Sequence, residues 1–137
     1  METVEIEWIK YNHFFDLWRA HRRDTQLLYV IGDQHHCYIG SIGARDGVQG
    51  LGTRYQWQYV QRARSIFGTE ESAGQVAYAG LFKKPEQING RLIFAAEAFI
   101  QNHCITVLGP QAVLFDAEDL VEGVEVINRG SLPTFLE

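Results

Sequence analysis

Two runs of β-favouring apolar residues, Leu27 to Ile31 and Cys37 to Ile42, flank the turn-like Gly32-Asp33-Gln34-His35. This pattern constrains the chain more than any other. Short runs rich in β-branched and aromatic residues on either side of a turn read as the arms of an antiparallel hairpin. A loop centred on Asp33-Gln34 pairs residue i with residue 67 − i, which sets Tyr29 opposite Tyr38. Directly opposed residues share a face, with Cβ atoms about 4.5–5.5 Å apart. Both phenols are therefore expected to point the same way from adjacent strands. They are either an aromatic pair that stabilises the sheet or two hydroxyls presented to one site.

The remaining chain alternates between strand and helix patterns. Val4, Ile6 and Trp8 alternate with acids, as in a short strand with one wet face. Residues 12–22 read as a helix with Asn12 as N-cap. Gly43 to Gly52 holds four glycines and reads as an open loop, and Thr53 to Phe67 as a helix stopped by Gly68. Gln75 to Phe82 is expected as a strand, Lys83 to Gly90 as a loop containing Pro85, and Arg91 to His103 as a strongly apolar helix. In the tail, Ile105 to Leu108, Ala112 to Phe115 and Val124 to Ile127 read as short strands, with one or two helical turns over Asp116 to Glu122.

A length of 137 residues fits one domain, 1–137, with a core of its own. An apolar content of 46% with 12% aromatics is that of a globular chain. No stretch has the apolar length of a membrane span, and the acidic start, Met1-Glu2-Thr3-Val4-Glu5, lacks the order of a signal peptide. The expectation is a cytoplasmic protein with no membrane association and with Cys37 and Cys104 as free thiols. The net charge of −5 counts against a simple nucleic-acid binder. Basic residues nonetheless cluster, at Arg19, Arg22 and Arg23, at Arg54, Arg62 and Arg64, and at Lys83-Lys84, while acids concentrate elsewhere. Either one basic face or scattered solvated charge is compatible with that order.

Glu97 is the polar residue of the apolar run from Leu92 to Ile100. A helix apolar on nearly all faces is normally buried, and a buried unpaired carboxylate is costly. Glu97 is thus expected to face a cation, an arginine or a metal, or else to lie on a narrow exposed stripe. His35-His36-Cys37 invites a zinc reading, but adjacent strand residues point to opposite faces and no companion ligands have metal spacing. The polar tip of a hairpin is the better account, with His36 a possible substrate contact. Gly43, Gly47, Gly50 and Gly52 form no phosphate-binding loop, since no Gly-Lys-Ser/Thr follows them.

Taken in order, these residues resemble the GIY-YIG nuclease family over about residues 26–103. Leu27-Leu28-Tyr29 stands where the family has Gly-Ile-Tyr, and Tyr38-Ile39-Gly40 matches its second motif outright. Leu51-Gly52-Thr53-Arg54 is similar to its leucine followed three residues later by arginine, and Glu97-Ala98-Phe99-Ile100 to its Glu-x-x-Ile segment. The resemblance implies an α+β fold in which a small antiparallel sheet of about three strands is flanked by helices. An N-terminal strand and helix and a C-terminal extension would be additions to it. The sequence departs from the family at Leu27-Leu28, in a spacing of eight residues between the motifs, and in Ser41 and Ile42 where many members have a lysine.

The activity implied is metal-dependent hydrolysis of phosphodiester bonds in DNA, or in RNA. By the resemblance, Glu97 would bind Mg²⁺ or Mn²⁺ and Arg54 would stabilise charge on the phosphorus. Tyr29 would orient or deprotonate the attacking water, and Tyr38 would hydrogen-bond the water or a phosphate. Gly40, Ser41, Gln58, Asn102 and His36 become candidate substrate contacts, Gly40 by letting the backbone approach closely and Gln58 by holding the place of a family histidine. Targeting would come from loops, a homodimer or a protein partner. The departures leave an alternative: a catalytically inactive module of the same fold that binds nucleic acid or protein.

Overall fold

The computed structural model describes residues 1–32, 37–44, 76–112 and 117–137. The expected helix over Thr53 to Phe67 with Arg54 and Gln58, most of the glycine loop, His36 and, after its first residue, the expected strand over Ala112 to Phe115 lie outside the described residues. In chain order the elements are β1 (Glu2–Tyr11), α1 (Phe14–His21), β2 (Leu27–Ile31), β3 (Tyr38–Ile42), β4 (Ala77–Phe82), α2 (Gly90–Leu108) and β5 (Val124–Gly130). No helix among the described residues is long and apolar enough to cross a membrane.

The α+β class is as expected, but the sheet is larger. Five strands lie in the order β3-β2-β4-β1-β5, against about three expected. β3, β2, β4 and β1 pair antiparallel in succession, and β5 lies parallel to β1 from Glu2↔Val124 to Trp8↔Gly130. The N-terminal strand and the tail strand are therefore parts of the sheet, not additions beside it. β1 sits between β4 and β5, which explains why its alternate residues Val4, Ile6 and Trp8 are all buried.

Both faces of the sheet are covered, and β2 is buried along its whole length. Side chains of a strand point alternately to the two faces. Leu28, Val30, Ile39 and Tyr78, with Val4, Ile6 and Trp8, pack against Leu92, Ile93, Ala96, Ile100 and Cys104 of α2. Leu27, Tyr29, Ile31, Tyr38 and Ile42, with Ala77 and Ala79, pack against Phe14 and Leu17 of α1. The shorter helix thus covers the tyrosine face and the longer helix covers the other.

Several expected boundaries move for identifiable reasons. His13, not Asn12, occupies the N-cap of α1. Asn89 caps α2, its side chain accepting the Leu92 N–H at 2.9 Å, and satisfies one of the free donors of the first turn. α2 then runs on to Leu108 and absorbs the strand expected at Ile105 to Leu108. The β-branched residues there suit a strand in isolation. In place, Cys104 is anchored in the core and Thr106 Oγ1 bonds back to the Asn102 carbonyl at 3.0 Å. The helix stops where Gly109 takes φ +97°, with its N–H on the Ile105 carbonyl. The turns expected over Asp116 to Glu122 are not helical among their described residues; a turn at Glu122-Gly123 leads into β5.

Candidate functional site

The hairpin forms, in a different register. Tyr29 pairs with Gly40 and Tyr38 with Ile31, two residues away from the Tyr29–Tyr38 pairing expected. A slip of two leaves the facing of every side chain unchanged, so the phenols share a face as expected. They stand as diagonal neighbours with ring centroids 6.1 Å apart and planes at 24°. The physical reason for the register lies at Gly40. A Cβ there would sit 2.5 Å from Tyr29 Oη and 2.6 Å from its Cζ. Gly40 does allow a close approach, but what occupies the space is the ring of Tyr29.

Tyr29 is 1% exposed and Tyr38 3%. Both belong to the apolar cluster beneath α1. Tyr29 and Tyr38, which the resemblance would set beside the substrate, are buried on the α1 side of the sheet.

Glu97 lies on the other side. It projects from the half-buried flank of α2 toward β3, where Ser41 Oγ donates to its Oε2 at 2.6 Å. That is the short distance of a hydroxyl bonded to a carboxylate. Gln101 Nε2, one helical turn on, donates to Oε1 at 3.3 Å. A hydroxyl and an amide are thus among the partners of Glu97. Ser41 alternates with Gly40 along β3, so its side chain leaves the sheet on the face opposite the tyrosines. The structure brings together Ser41 and Glu97, and separately Tyr29, Tyr38 and Gly40. It does not bring the two groups together, because the sheet stands between them.

Asn102, a candidate substrate contact, spends its amide nitrogen on the backbone. Its Nδ2 donates to the Ala98 carbonyl at 2.8 Å and to the Glu118 carbonyl at 2.7 Å. Beside it, Gln101 is 2% exposed and its Oε1 accepts the Glu118 N–H at 3.0 Å. Gln101 and Asn102 together hold the segment at Glu118 against α2 and satisfy its backbone groups. Sequence reasoning passed over Gln101. Its signal was the i, i+4 spacing from Glu97 along a buried helix, which places the two side chains next to each other.

Mg²⁺ usually keeps several waters and takes only one or two protein carboxylates. Glu97 is therefore of a suitable donor type. Among the described residues, however, no group of three or more His, Cys, Asp or Glu side chains is placed to hold a metal ion. The tyrosines that would act on a metal-bound phosphate lie across the sheet from Glu97.

Two further polar clusters were not foreseen. Tyr11 Oη and His21 Nε2 are 2.8 Å apart, and His21 Nδ1 is 2.8 Å from Asp24 Oδ2. This chain ties the end of β1 to the last turn of α1. Burial, and then the charge of Asp24, push the Tyr11 phenol above its ordinary range. Cys37 and Cys104 are free thiols, as expected, and both are buried. The hydrogen bond from Cys37 pulls the Cys104 thiol down, against the opposing effect of burial.

Comparison of the chain with protein-family models, with curated proteins and with solved structures finds no match.

Proposed function

We propose that the chain is a nucleic-acid-binding module that keeps a GIY-YIG-like sheet but does not cut its ligand. The observation that carries this reading is the burial of the tyrosine pair, 1% and 3% exposed under α1, with Glu97 on the opposite face. A phenol that orients or deprotonates water must come within hydrogen-bonding reach of it and of the phosphate. A ring packed among Phe14, Leu17 and Ile42 has the surroundings of a core side chain. The nucleic-acid part of the reading is supported by the Tyr38-Ile39-Gly40 tripeptide on β3, the antiparallel order β3-β2-β4 and a glutamate on a later helix.

The other reading is the Mg²⁺- or Mn²⁺-dependent endonuclease, with Glu97 holding the metal and Tyr29, Tyr38 and Arg54 acting on the phosphate. One experiment separates the two. Supercoiled plasmid and single-stranded RNA are incubated with the pure protein and each metal, and binding to the same substrates is followed with and without EDTA. The expected result is binding that is sensitive to salt and insensitive to EDTA, with substrates left whole. Metal-dependent cutting that Glu97→Ala abolishes would sink the non-cutting module and establish the nuclease.

A further inference from the structure

The outward face of α1 carries an unusual ladder of rings and guanidinium groups. Phe14, Leu17 and His21 face the sheet. Phe15 is three and four residues from Trp18 and Arg19, and Arg22 is four and three from them, the spacings that make side chains neighbours on a helix surface. The rings of Phe15 and Trp18 stack 5.9 Å apart at 13°. The Arg19 guanidinium lies 4.4 Å from the centre of the Phe15 ring, and that of Arg22 lies 5.3 Å from the Trp18 ring. Phe15 is 45% exposed and both arginines are exposed. Among the described residues neither arginine is ion-paired to a carboxylate; the nearby Asp24 is engaged by His21.

We propose that this face of α1 docks single-stranded nucleic acid, with Phe15 and Trp18 as a base-stacking platform and Arg19 and Arg22 as its phosphate contacts. The inference rests on the nucleic-acid-binding reading and adds where the ligand lies and what form it takes. Two features carry it. The first is charge: Arg19, Arg22 and the adjacent Arg23 place three cations within five residues on a chain of net charge −5. A guanidinium stacked on a ring keeps its N–H fork at the edge, free to meet a phosphate in the plane. The second is ring geometry. Flat, partly exposed aromatics and guanidinium planes are the surfaces on which unpaired bases stack, whereas the bases of a duplex have their faces already covered. A lipid surface suits the ladder less well. Its rings alternate with guanidinium groups over a helix of eight residues, and do not form a continuous apolar stripe.

The test is fluorescence anisotropy with labelled oligo(dT), oligo(U) and a duplex of equal length. Arg19→Glu/Arg22→Glu and Phe15→Ala are compared with wild type and with Lys84→Glu, an exposed basic residue between β4 and α2. Thermal melts establish that each variant folds, as these outward side chains allow. Each ladder variant is expected to weaken single-strand binding by roughly ten-fold or more, the scale of one stacked base. The arginine variant should also lower the salt slope by about 0.7 for each phosphate no longer neutralised. Lys84→Glu should bind as wild type. If the folded ladder variants also bind as wild type, the docking face is wrong and the binding module stands. If wild type binds neither strand nor duplex, both readings fall. Tighter binding to duplex than to single strand, or to phosphatidylserine vesicles alone, would overturn the assigned ligand.

Discussion

The ring of Tyr29 lies across the α-carbon of Gly40, and the β2–β3 hairpin is built around that contact. A glycine inside a strand often marks a place where another group comes close. Here the visitor is a phenol that is itself 1% exposed and so cannot swing out to solvent. Gly40→Ala would place a methyl 2.5 Å from Tyr29 Oη, and the strand or the ring must shift. Overpacking of this kind costs about 1–3 kcal/mol. Stiffening of the unfolded chain by alanine returns about 0.4–1 kcal/mol where the fold tolerates the change. Gly40→Ala is therefore expected to lower stability by about 1–2 kcal/mol, read as a lower urea midpoint with unchanged slope. An unchanged midpoint would mean that the Tyr29 ring has room to move, and that the site is less tightly packed than its burial implies.

At the scale of elements, what a segment carries in its own residues is legible in the sequence. Leu27–Ile31 forms the strand its residues predict, and the fall of Tyr29 and Tyr38 on one face follows from a period of two whatever the register. The tail of α2 reads wrongly because β-branched residues favour a strand until a capped helix with a buried face reaches them. The candidate site is legible in its parts and not in its assembly. Which helix covers which face depends on α1, whose Phe14 and Leu17 seal the tyrosine side. The bond chain from Tyr11 through His21 to Asp24 fixes that helix to β1, and it has a consequence in alkali. The folded state holds the Tyr11 phenol above its ordinary value of 10.0, so the neutral form is favoured by folding. The stabilisation is fully present below about pH 10, the unfolded phenol's pKa, and is lost as pH rises through the higher folded value. Urea midpoints should thus fall faster with pH above about 10 in wild type than in Tyr11→Phe, which cannot ionise. Parallel curves would show that Tyr11 contributes nothing to the pH dependence.

Across the whole molecule, the sheet order could not be read from any window of sequence. β1 pairs with β4 some seventy residues on and with β5 more than a hundred residues on, and no local pattern records either partnership. The consequence is that the tail which resembled an extension closes the sheet. β5 covers the outer edge of β1, Trp8 Nε1 donates to Asn128 Oδ1 at 2.8 Å, and Phe135 joins the core against α2. Removing residues 124–137 would bare the backbone donors and acceptors of β1 and uncover the apolar side chains under Phe135. An unprotected strand edge of this length recruits other chains. The truncated protein is expected to elute as dimers and larger species on size exclusion, and to melt well below the full chain. A monomeric truncation with an unchanged melting temperature would show instead that β1 and β4 suffice as a boundary, and that β5 is an ornament on a sheet stable without it.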